Sequence, residues 1–84
     1  MRQFSLMSTS GCHLCDQAIE IIVSSLNPAL HSVDVLDIAL DDELVARYGR
    51  WIPVLVDASS GQELGWPFDR ARLLAFVEGL ASPQ

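Results

Sequence analysis

The spacing of apolar residues changes several times along the chain, and the changes mark out its elements. Phe4-Ser5-Leu6-Met7 alternates weakly and predicts a first strand. The polar stretch Ser8-Thr9-Ser10-Gly11 is a loop with good helix-entry residues. From there Cys15, Ala18, Ile19, Ile22 and Leu26 fall at helical spacing, with Asp16, Glu20 and Ser24 on the other face. That helix runs to about Leu26, where Asn27-Pro28 ends it. In His31-Ser32-Val33-Asp34-Val35-Leu36-Asp37 the period returns to two, which predicts a second strand. Asp41-Asp42 opens a short helix through Glu43, Leu44, Val45 and Arg47; acids suit the positive end of the peptide dipole, and Gly49 is its stop.

Val54-Leu55-Val56 is a buried-type strand with Pro53 at its first residue, where a strand tolerates proline. Ala58-Ser59-Ser60-Gly61 is a tight turn into Gln62-Glu63-Leu64, a hairpin partner. Gly65-Trp66-Pro67-Phe68 is irregular. Asp69 caps a last helix whose face is Leu73, Phe76, Val77 and Leu80, and Ser82-Pro83-Gln84 is a frayed tail. The order is therefore β-α-β-α-β-β-α. Two strands joined through a helix run parallel with a right-handed crossover, and the last two make an antiparallel hairpin. The expectation is an α/β fold: a mixed four-stranded sheet covered by three helices, in one domain over residues 1–84.

Composition narrows the function classes. Half of the 84 residues are apolar, so the chain is globular in character. Its five basic residues, all arginines, face eleven acids for a net charge of −6. With no basic run to neutralise phosphates, nucleic acid and anionic membrane surfaces are excluded as expected partners. The opening apolar stretch is too short and interrupted for a signal peptide, and no span is long enough to cross a bilayer. The expected location is the cytoplasm, where thiols stay reduced.

The candidate chemistry lies at Gly11-Cys12-His13-Leu14-Cys15-Asp16, which holds the chain's two cysteines. A disulfide between residues three apart closes almost no loop and constrains the unfolded chain little, so the value of the pair is chemical. The motif sits where a strand hands over to a helix, whose unpaired N–H groups and dipole favour a thiolate. Cys12, at the mouth, is the expected nucleophile; Cys15 begins the buried face. This is the pattern of a thioredoxin-like redox motif. Two buried thiols are the bland alternative. A zinc site needs four ligands, and beyond the motif only His31, read as a surface histidine, is an obvious soft one. His13 either supplies positive charge beside Cys12 or points into solvent.

The chain resembles the thioredoxin superfamily, and within it a small glutaredoxin-like protein. The resemblance rests on Cys12-His13-Leu14-Cys15 after the first strand, on Ile52-Pro53 leading the third, and on Gly65-Trp66-Pro67-Phe68-Asp69 before the last helix. It implies a thioredoxin-like fold and a dithiol–disulfide oxidoreductase with Cys12 and Cys15 catalytic. It also implies a cis-proline at Pro53 facing the dithiol, with the Ile52 N–H and C=O free to pair with an extended substrate. Substrate contacts are then expected from His13, Leu14, Ile52, Pro53, Gly65, Trp66 and Asp69, with Trp51 and Trp66 flanking the groove or packing in the core.

The departures from the family are specific. Cys-Pro-Tyr-Cys is replaced by a His13-Leu14 inner pair. The cation that usually precedes the motif is missing from Ser8-Thr9-Ser10, and Trp66 stands where a second glycine is usual. The expected partner is thus a disulfide-bearing protein, with reducing equivalents from a reductase or from glutathione. Glutathione is the weaker co-substrate, and no metal or organic cofactor is expected. The alternative is a non-catalytic module of the same fold that docks a partner or holds a metal or iron–sulfur centre between two chains.

Overall fold

The computed structural model describes residues 2–80. Four strands, β1 (Arg2–Ser8), β2 (His31–Asp37), β3 (Val54–Asp57) and β4 (Glu63–Gly65), alternate with helices α1 (His13–Ser25), α2 (Asp42–Tyr48) and α3 (Arg70–Glu78) in the expected order. The strands form one sheet in the order β2-β1-β3-β4. β1 pairs parallel with β2, Leu6 opposite Val35; β3 runs antiparallel to β1, Leu55 opposite Leu6; β4 runs antiparallel to β3, Leu64 opposite Leu55. This is a thioredoxin-like fold. The anticipated tail, Ser82-Pro83-Gln84, lies outside the described residues.

Alternation along the strands separates two cores. Phe4, Leu6, Leu55 and Leu64 project to one face, against Ala18 and Ile22 from α1, Leu26 at its C-terminal cap, and Phe68, Leu73 and Leu80 around α3. Met7 and Val54 project to the other, against Ile38 and Tyr48. Leu6, Leu55 and Leu73 are fully buried, and each contributes roughly 1.5–3 kcal/mol by leaving water. Phe76 and Val77 only lean on the larger core, so α3 is anchored chiefly through Leu73. Among the described residues no helix is long and apolar enough to cross a membrane.

Several details depart from the pattern in the sequence. β1 includes Arg2, which lies opposite His31, and the Arg2 guanidinium donates to buried Asp57 at 3.0 Å across the sheet, an ion pair no local pattern announces. Asp57 also accepts from the Ser59 hydroxyl, and from the Ser60 N–H and hydroxyl at 3.1 and 2.6 Å. Burial alone would push this carboxyl up; the Ser60 and Arg2 hydrogen bonds and the Arg2 charge outweigh it and hold Asp57 below the usual range. A 3₁₀ turn, Ile38–Leu40, intervenes before α2, capped by the Asp37 carboxylate accepting from Ala39 N–H. Pro53 precedes β3 rather than opening it. His31 is half-buried, its ring 6.1 Å from that of Phe4.

The register fixes which loops share an end of the sheet. Ser8 lies opposite Asp37, Met7 opposite Val54, and Val54 opposite Gly65. The loop after β1, the turn after β2, the entry to β3 and the exit from β4 therefore emerge together. The Arg2–Asp57 pair closes the opposite end.

Candidate functional site

At the shared end, Gly11 adopts φ +76°, a left-handed conformation open to glycine at little cost, and turns the chain from the loop into α1. Cys12 then takes an extended backbone and is itself the N-cap. Its Sγ accepts the Cys15 N–H at 3.2 Å, the place an oxygen of Ser, Thr or Asp ordinarily fills. A sulfur held there lies at the N-terminal end of α1, beside its unpaired N–H groups. The polar loop residues before it were the expected helix entry; the cap is the nucleophile candidate itself.

Cys12 is half-buried and Cys15 is 1% exposed; both are free thiols. Cys15 shares its helix face with Ala18 and Ile22, so the same period that built the core buries this sulfur. Burial pushes the Cys15 thiol up, and the Cys12 sulfur adds to the rise; contacts with Ser8 and the Thr9 backbone oppose it. Cys15 thus stays protonated where an ordinary thiol begins to ionise. The pair is asymmetric: one sulfur reachable and stabilised as an acceptor, the other withheld and protonated.

The remaining candidates are distributed around this pair. His13 and Leu14 are exposed on the first turn of α1. The Thr9 hydroxyl donates to Asp37 at 3.2 Å and ties the dithiol loop to the end of β2. The Ile52–Pro53 bond is cis, Pro53 is fully buried, and its carbonyl accepts the Trp66 N–H at 3.2 Å. The Ile52 N–H was expected to be free for a substrate, but it donates to the Tyr48 carbonyl at 3.1 Å, because α2 ends directly before this segment. Trp66–Pro67 is a second cis bond, which the sequence reading did not anticipate. Trp66 is half-buried and meets Phe68 edge-on at 5.1 Å, so it belongs partly to the core; Trp51 is 69% exposed. Gly65 is exposed at the end of β4.

Asp69 caps α3, its carboxylate accepting the Arg72 N–H at 2.8 Å. It occupies the helix start with a negative charge, where an incoming anion would otherwise bind. Arg70 and Arg72 reach back to the Ser24 and Pro67 carbonyls. Among the described residues, no three of His, Cys, Asp and Glu converge as they would to hold a metal ion.

Known proteins agree on family and fold. Residues 3–78 match the model of a family described as Glutaredoxin-like domain (DUF836). The chain is similar to the X-ray structure of Northeast Structural Genomics target protein XcR50 from X. campestris, with 36% identity and a TM-score of 0.83, over 93% of this chain and 99% of that one. The solution structure of the same target gives 35% identity and a TM-score of 0.79, over 99% and 100% of the two chains. Protein Ne2328 from Nitrosomonas europaea, 24% identical with a TM-score of 0.69 over 89% of each chain, shares the fold. No curated protein matches the chain.

Proposed function

The chain belongs to the glutaredoxin-like domain family, and from that premise we propose that it is a dithiol–disulfide oxidoreductase acting on a protein disulfide. The observation that carries the reading is the asymmetry of the dithiol: Cys12 half-exposed and accepting a helix N–H, Cys15 buried and held protonated. The Cys12 thiolate attacks one sulfur of the substrate disulfide. A Cys12–substrate disulfide forms, and the other substrate sulfur leaves as a thiolate and takes up a proton. Cys15 then loses its proton, attacks the Cys12 sulfur and expels the second substrate thiol. The substrate gains two electrons and the protein is left with a Cys12–Cys15 disulfide, which a reductase or glutathione returns to the dithiol. No metal or organic cofactor enters, and a reducing cytoplasm is the fitting compartment.

Glutathione is the weaker reductant on three grounds. Ser8, Thr9 and Ser10 place no cation beside the dithiol, Asp69 already fills the start of α3 with a carboxylate, and the net charge is −6. An anionic tripeptide needs donors at such places. The test is one mixed-disulfide substrate in two coupled assays, one with thioredoxin reductase and one with glutathione and glutathione reductase. Turnover in the first arm with little in the second is expected. Saturable, efficient turnover in the second would restore an ordinary glutaredoxin assignment. Inactivity in both arms, with Cys12 still readily alkylated, would favour a non-catalytic binding module instead.

A further inference from the structure

On the face of the sheet opposite α1 and α3, a cavity of about 310 Å³ is lined by Arg47, Tyr48, Trp51, Val54, Glu63 and Gly65. We propose that this cavity is a specificity pocket that receives one neutral aromatic or large aliphatic side chain of the disulfide-bearing protein substrate, about three residues from the cysteine that reacts with Cys12. The assignment of this occupant rests on the dithiol reading above.

Size and charge select the occupant. The volume lies at the bottom of the roughly 300–1,000 Å³ spanned by small-ligand pockets, room for one side chain and little more. Its charged groups answer each other. The Arg47 guanidinium lies 4.0 Å from the Glu63 carboxylate and 5.3 Å from the centre of the Tyr48 ring, and the Tyr48 hydroxyl donates to Glu63. The two opposite charges at the cavity rim partly offset each other, and an apolar group disturbs no pairing. The Tyr48 and Trp51 rings and Val54 supply the apolar wall. Trp51 is 69% exposed, and its backbone N–H donates to the Tyr48 carbonyl at 2.7 Å. A large aromatic held at the end of a helix and left in water is the kind of residue that anchors binding surfaces.

Gly65 supplies the opening. It lies opposite Val54 and two residues beyond Glu63, so a side chain there would rise on the pocket face beside both. A Cβ at this position would meet nothing within 4 Å. The space is vacant because the residue has no side chain.

Placement joins the pocket to the chemistry. Val54 and Gly65 lie at the end of the sheet from which Ser8 leads into the dithiol loop. β4 is two strands from β1, roughly 10 Å at about 4.8 Å per strand, and an extended peptide covers about 3.3 Å per residue. A peptide bonded through its cysteine to Cys12, at the start of α1, thus needs about three extended residues to cover that lateral span and reach the cavity.

The experiment uses a disulfide-linked peptide series carrying Phe, Ala, Glu or Lys at the second and third positions from the cysteine. The Phe peptide is expected to exceed the Ala peptide about tenfold in kcat/KM, through KM, with Glu and Lys no better than Ala. In Gly65→Leu, which fills the cavity, and in Trp51→Ala, which removes a wall, the Phe/Ala ratio is expected to fall below about twofold. Equal turnover of all four peptides by the wild type, a preference for Glu or Lys, or a ratio that survives both substitutions overturns the pocket and leaves the dithiol reading standing. A second arm does not depend on catalysis: the same peptides with serine for cysteine are titrated into the reduced protein and followed by NMR. The Phe peptide should shift the Trp51 indole and Gly65 amide signals. If no peptide is turned over, the dithiol reading fails and this arm alone decides the pocket; absence of those shifts overturns it.

Discussion

At the Arg2–Asp57 end of the sheet a buried carboxylate takes hydrogen bonds from an arginine and two serines, while at the other end the Cys12 sulfur takes a backbone N–H and stays half-exposed. Both devices put negative charge where the fold supplies donors. They differ in what remains for an outside molecule. The Asp57 carboxylate is sealed: it stitches the N-terminal strand to the β3–β4 turn and offers solvent nothing. The Cys12 cap is held firmly enough to be oriented, with a surface left to be attacked or to attack. Position in the fold, more than the number of polar groups, separates a structural charge from a reactive one.

The largest effect that would break this contrast is at the reactive end. Cys12→Ser is expected to reduce disulfide turnover to background, because an alkoxide does not form near neutral pH, while the serine oxygen keeps capping α1 and the fold survives. Cys15→Ser should instead halt after the first exchange and accumulate a Cys12-linked mixed disulfide, read by intact mass. Preferential alkylation of Cys15 in the reduced wild type near neutral pH would reverse the two roles.

At the sealed end the expected loss is of stability. Arg2→Ala strands the Asp57 carboxylate in the core, and removing one partner of such a pair costs roughly 3–5 kcal/mol. For a chain of this length that is a large share of the roughly 0.05–0.15 kcal/mol per residue that separates folded from unfolded states. Urea titration reads the loss. A double variant, Arg2→Met with Asp57→Leu, removes both charges and should recover most of it; failure to recover would mean that the serine bonds to Asp57 matter more than the ion pair.

How much of each end was legible in the sequence follows from how local its signals are. The dithiol was visible because two cysteines and the helical period that buries Cys15 lie within one turn of α1. Asp69 as a cap was equally local. The partnership of Arg2 with Asp57 spans 55 positions and has no periodic signature. The Ile52 N–H was misread for a related reason: whether it is free depends on where α2 stops, and the last carbonyls of that helix were not placed finely enough. The cavity on the α2 face was missed because it is made by an absence, the side chain Gly65 lacks, facing residues that only the β3–β4 pairing and the α2 packing bring together.

A smaller effect sharpens the same comparison through pH. The folded protein holds the Asp57 carboxyl below its ordinary value, near 3.9 in an unfolded chain. Its contribution is therefore complete above about pH 4 and is lost as pH falls from there through the lower folded value, because the unfolded chain then binds the proton first. Denaturant titrations from pH 6 down to pH 2 should show a decline that is shallower in Asp57→Asn. An identical slope in the two proteins would mean that the acid limb arises from other carboxylates.

The smallest expected effect concerns Tyr48, which stands between the two extremes: its ring is buried, but its hydroxyl reaches the partly exposed carboxylate of Glu63. That hydrogen bond is the main reason the Tyr48 hydroxyl is raised above its ordinary value of 10.0; burial and the Glu63 charge add to it, and Arg47 opposes. Tyr48→Phe keeps the packing and loses the bond. Because Glu63 can be rehydrated, the cost should be about 1 kcal/mol near neutral pH. The sign with pH follows from the raised value. Above about pH 10 the unfolded tyrosine ionises first, so the contribution is full below that point and disappears as pH rises through the folded value. The wild type should therefore keep its advantage over Tyr48→Phe up to about pH 10 and lose it as pH rises from there through the folded value. Cys15, also raised, steepens the alkaline limb of both proteins alike and cancels in their difference. A gap that stays constant or widens with pH would place the stabilisation in the packing of the ring and not in the hydroxyl, and would move Tyr48 to the sealed side of the comparison.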